Sequence, residues 1–126
     1  MSVAAHARTH YGHHARALKT PRDIEYDVLA QITGRIQSQL PHEPGKVSGR
    51  LTVALNDNRR LWAAFAADLA HPSNGFPQPL RAQLFYLAEF TLKHTTQVLT
   101  GAATADILAE INTSVMRGLK GQGGEP

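Results

Sequence analysis

Two clusters, Pro41-His42-Glu43-Pro44-Gly45 and the run from His71 to Pro79, punctuate a chain in which apolar residues otherwise recur every three or four positions. Proline removes a backbone donor and fixes φ, so each cluster must end one regular element before the next begins. Between the clusters the period is helical, and alternation of the strand type is absent. This combination predicts an all-α protein, a compact bundle of four main helices, with a possible extra helix in the N-terminal arm.

The first main helix starts at Thr20-Pro21-Arg22-Asp23, which offers an N-cap, a proline at the first helical position and an acid in the first turn. Ile24, Val28, Leu29, Ile32, Ile36 and Leu40 follow on one face. Glu25 falls near the middle of that face, where a carboxylate needs an arginine or the free amides of the helix start, a structural rather than a catalytic duty. The second helix is expected over residues 48 to 70, with Leu51, Leu55, Asn58, Leu61, Trp62, Phe65 and Leu69 as its buried stripe. Trp62 should anchor the core, and a polar Asn58 inside an apolar stripe points to helix register or a grip on neighbouring backbone.

Pro77 and Pro79 suit the start of a third helix, whose core face carries Leu80, Leu84, Leu87, Ala88, Thr91, Thr95 and Val98. Phe76 should tuck the preceding loop against the body. Tyr86 and Phe90 fall one turn apart on the opposite side, among Gln83, Lys93 and Gln97, and so form a candidate exposed contact patch unless the N-terminal arm covers them. Gly101 suits a C-cap and Thr104 with Asp106 the next start, giving a last helix to residue 119 with Ile107, Leu108, Ile111, Val115 and Leu119 facing inward. Met116 flanks that face as gap filler or adaptable contact.

The chain thus divides into a basic, His-rich arm over residues 1–19, a helical body over 20–119 and a Gly-rich tail over 120–126 expected to lack structure. Of a net charge of +3, the excess sits in residues 1–22: Arg8, Arg16, Lys19 and Arg22 precede the first acid, Asp23. That arm carries Val3, Ala7, Tyr11, Ala15 and Leu18 at helical spacing, and its basic charge suits a solvated segment or an acidic partner. No apolar run reaches the roughly 18 residues needed to cross a bilayer. Arg8, His10 and His13 interrupt the stretch that a secretory signal would need, which leads us to expect a cytoplasmic protein without a membrane partner.

Catalytic signatures are missing from the sequence. There is no cysteine, no Gly-x-Ser-x-Gly elbow, no phosphate-cradling glycine loop and no His-Glu-x-x-His helix, so we expect neither an enzyme nor a cofactor. His6, His10 and His14 would align on one edge of a helical arm, a spacing that imidazole-bound metals can use, but no acid precedes Asp23 to support them and we assign no metal. Asp68 and His71, an acid and a base three residues apart, are read as parts of a helix end.

The segment Asn58-Arg59-Arg60-Leu61-Trp62, followed by Asp68-Leu69, Asn74, Pro77 and Leu80-Arg81-Ala82-Gln83, resembles the central signature of the flagellar biosynthesis regulator FlaF family. His94, Val98-Leu99 and Gly101 resemble the end of that family's third helix, and Ile111-Asn112, Met116 and Gly118-Leu119 its closing motif. Pro21-Arg22-Asp23-Ile24-Glu25 is similar to the family's Pro-Arg-acid-x-Glu start, so the likeness spans residues 20 to 120. The His-rich arm and Phe76, where the family usually has leucine, depart from it. The stretch from Tyr11 to Pro21 and the helix after it also resemble the flagellin export chaperone FliS, at the level of fold.

The FlaF resemblance implies a part in flagellum assembly, promoting flagellin synthesis or secretion, alongside the regulator FlbT, which acts on flagellin messenger RNA. Flagellin is then the expected partner, bound as by a chaperone in a groove that accepts an amphipathic helix. Tyr11, Tyr86, Phe90 and Met116 are the candidate partner-binding residues, while Glu25, Asn58, Trp62, Asp68, Arg81 and Asn112 are assigned to the fold. The alternative is a post-transcriptional regulator that works with an RNA-binding partner, direct nucleic-acid binding by this chain not being expected.

Overall fold

The structure, a computed structural model, describes the backbone of residues 21–122 and the side chains of residues 26–119. Four helices follow in order: α1 (Pro21–Gln37), α2 (Gly49–Ala70), α3 (Gln78–Leu99) and α4 (Asp106–Gln122). Among the described residues no strand occurs, in line with the all-α expectation. The proposed helix in residues 1–19, Tyr11 within it and the histidine series lie outside the described residues.

Each boundary has a local cause. Pro21 opens α1, and the helix frays through single-turn bonds from Gln39 N to Ile36 O and Leu40 N to Gln37 O before Pro41. Leu40 therefore packs half-buried from the loop rather than from the helix. Ser48 caps α2, its hydroxyl accepting from the Leu51 amide at 3.0 Å. Pro77 and Pro79 flank the first turn of α3, where a missing amide costs nothing. Gly101 ends the α3 segment with φ of 89°, a left-handed conformation open to glycine, while its amide donates to Val98 O at 3.1 Å.

The start of α4 differs from the sequence expectation. The helix begins at Asp106, so the N-cap position falls on Ala105, which is fully buried and offers no side-chain acceptor, and not on Thr104. Ile107 is 36% exposed at the edge of the helix instead of facing the core. At the other end the helix runs past Leu119 through Gln122, so that part of the expected Gly-rich tail is helical.

Around the bundle α1 lies beside α2 and α4, and α3 lies beside α2 and, more loosely, α4; the backbones of the diagonal pairs stay apart. The loops after α1 and α3 meet at one end, where a Cβ added to Gly101 would sit 3.4 Å from Gly45 Cα. Ile36, Leu51, Leu55 and Leu108 are wholly buried close to that end, each contributing about 1.5–3 kcal/mol relative to exposure. Trp62 and Phe65 pack further along with ring centroids 5.6 Å apart, and Phe76 folds the α2–α3 loop onto the core as its sequence position suggested.

Candidate functional site

The centre of the bundle is polar at one point. Asn58 and Asn112 are both fully buried, on the diagonal helices α2 and α4. Trp62 Nε1 donates to Asn112 Oδ1 at 2.9 Å, and Asn112 Nδ2 donates to Asn58 Oδ1 at 2.8 Å. An indole nitrogen can only donate, so it fixes the orientation of the Asn112 amide, which in turn fixes that of Asn58. The chain of bonds leaves Asn58 Nδ2 without a partner, and the Thr91 hydroxyl on α3 is likewise buried and unpaired. Such an interior network suits packing register, and no nucleophile, acid or base belongs to it.

The other residues assigned to the fold divide. Asp68 is exposed; its backbone carbonyl accepts from His71 N at 3.1 Å and Asn74 Nδ2 at 3.2 Å, while the His71 ring binds Ser73. This network closes the helix end, and the Asp68 carboxylate makes no bond to the His71 ring. Arg81 is half-buried with its Nε sealed from solvent and unpaired. Glu25 belongs to α1, but its side chain lies outside the described residues.

The outer face of α3 is the exposed apolar surface that the sequence suggested, with altered membership. Tyr86 is 66% exposed. Phe90 is not: it is half-buried, packed against the core and stacked on His94 with ring centroids 5.4 Å apart at an interplanar angle of 12°. Its place beside Tyr86 is taken by Phe85, 39% exposed, with Ala82 and Glu89 exposed between them on the helical wheel. Sequence inspection missed Phe85 because it read the helix as two opposed faces; a full wheel puts Phe85, Ala82, Glu89 and Tyr86 side by side. Towards the far end the same face becomes polar, with Lys93, Thr96 and Gln97 exposed.

Met116 is half-buried against the core on α4, consistent with gap filling. A groove of about 430 Å³ between the end of α1 and α4 is walled by Gln37, Leu40, Asp106, Glu110, Thr113 and Arg117, among others. It includes neither Tyr86 nor Met116. Its mixed polar walls lack the apolar floor that a hydrophobic helix face needs. Among the described residues no helix is long and apolar enough to cross a membrane.

No curated protein and no solved structure gives a significant match to this chain. A family profile described as flagellar protein FlaF matches residues 7–119, which takes in all of α1, α2 and α3 and α4 up to its last turn. With nearly the whole helical body inside that match, the chain belongs to the flagellar protein FlaF family.

Proposed function

We propose that this protein is a non-catalytic, cytoplasmic flagellum assembly factor that binds flagellin subunits in a chaperone-like manner and so promotes their synthesis or secretion. The observation that carries the reading is the pair Phe85 and Tyr86, exposed on α3 while the opposite face of the same helix buries Leu84, Ala88, Thr91, Thr95 and Val98. Adjacent exposed aromatics on a rigid helix are suited to hold the apolar face of an amphipathic segment. Membership of the flagellar family supports a flagellar component as the client.

Calorimetric titration of the full-length protein with monomeric flagellin tests this, with a Phe85→Ala/Tyr86→Ala variant beside the wild type at low and high salt. Binding that the variant loses and that salt leaves unchanged supports the apolar contact. Failure of flagellin to bind the folded wild type at either salt overturns it and moves the role to a regulatory partner such as FlbT or to RNA, whose binding would weaken steeply with salt.

A further inference from the structure

One peptide group, the bond between Thr104 and Ala105 that precedes α4, is held by two histidines from two other elements. His94 on α3 places Nε2 2.9 Å from the Thr104 carbonyl oxygen. His42 in the α1–α2 loop places Nε2 3.0 Å from the Ala105 nitrogen, and its Nδ1 lies 2.9 Å from the Glu43 carbonyl oxygen. A carbonyl can only accept and an amide can only donate, so the geometry assigns the protons: His94 carries its proton on Nε2, and His42 carries its proton on Nδ1 with a free lone pair on Nε2.

We propose that this pair is a pH-sensitive latch on the start of α4, closed while His42 is neutral and opened by its protonation. The two histidines respond oppositely. His94 donates to Thr104 O whether neutral or charged, so acid leaves that contact in place. An imidazolium at His42 would set a second N–H against the Ala105 N–H, and the bond is lost. Ala105 has no side-chain acceptor to cap the helix, so the two rings hold a peptide that no capping residue orients.

The surroundings of His42 allow the opening. Towards the end of the bundle that carries His42, the adjoining elements place Arg35 on α1, Glu43 and Lys46 in its own loop, Arg50 on α2, Lys93 and His94 on α3, and Asp106 and Glu110 on α4. Arg35 is paired with Asp57 at 2.9 Å, and none of these side chains hydrogen-bonds to the His42 ring. The contact is thus present while His42 is neutral and is lost once falling pH protonates its Nε2.

Imidazole nitrogen-15 NMR on the full-length protein tests the proton assignment without any substitution. His42 should read as the Nδ1–H tautomer at neutral pH and His94 as the Nε2–H tautomer; the Nε2–H tautomer at His42 overturns the latch. Amide exchange then tests the consequence. Between about pH 7.5 and about pH 5.5, Ala105 protection should fall about tenfold after correction for intrinsic exchange. In His42→Gln, whose amide oxygen accepts at every pH, protection should stay level, and in His42→Ala it should be low throughout. An equal fall in wild type and His42→Gln would overturn the proposal.

Discussion

Trp62 and Asn112 sit on helices whose backbones stay apart, and the 2.9 Å bond from the indole nitrogen to the amide oxygen spans the middle of the bundle between them. Asn112 passes the link on to Asn58 at 2.8 Å. Three buried side chains therefore set the register of α2 against α4, where a purely apolar layer would tolerate a shift by one turn.

Asn112→Ala should destabilise the protein by about 2–4 kcal/mol, since it opens a small cavity and strands both the Trp62 Nε1 donor and the Asn58 Oδ1 acceptor. Asn58→Leu strands the Asn112 donor alone and should cost less. The double variant Asn58→Leu/Asn112→Leu should cost less than the sum of the two single leucine substitutions, because each single variant already breaks the shared bond. Urea denaturation of the four proteins measures the coupling, and strict additivity would show that the bond contributes nothing.

A second prediction concerns the loop crossing. Gly45 and Gly101 both have positive φ, 81° and 89°, yet only Gly101 has a neighbour where a Cβ would go, the Gly45 backbone at 3.4 Å. Alanine at either position has the left-handed penalty of about 1 kcal/mol. Gly101→Ala sets its methyl in ordinary contact with the facing loop, so the backbone penalty should dominate and its loss in thermal midpoint should match that of Gly45→Ala. A clearly larger loss at Gly101 would mean that the facing loop cannot take even that contact.

The helices were legible because their causes are local. Pro21, Pro41, Pro77 and Gly101 act on their own backbone, and the stripes of α2 and α3 depend on spacing alone. Asn58 was legible as an oddity in its stripe, but its partner was not: Asn112 lies 54 residues away, and no local rule pairs two amides on diagonal helices. Phe90 was misread for a related reason. Its wheel position is peripheral, and it is half-buried against the core with its ring stacked on His94, itself held by Thr104 O, contacts that no local spacing announces. His42 was taken as one residue of a terminating cluster, since its grip on Ala105 arises where two loops meet.

The last prediction separates a surface ion pair from the interior network. Asp57 on α2 reaches Arg35 on α1 at 2.9 Å and Arg60 on its own helix at 2.6 Å, so one carboxylate faces two guanidinium groups. Arg35 and Arg60 have side chains 42% and 65% exposed, and water screens much of their attraction. Asp57→Asn should therefore cost no more than about 1 kcal/mol in low salt, and less as salt rises. Replacing Arg60 should matter less than replacing Arg35, because the Arg60 contact lies within a single turn of α2 whereas Arg35 ties two helices together. Denaturation of Asp57→Asn, Arg35→Gln and Arg60→Gln at low and high salt decides this. A large, salt-independent loss for Asp57→Asn would place that carboxylate with the buried amides as part of what fixes helix register, and not with the solvated charges of the surface.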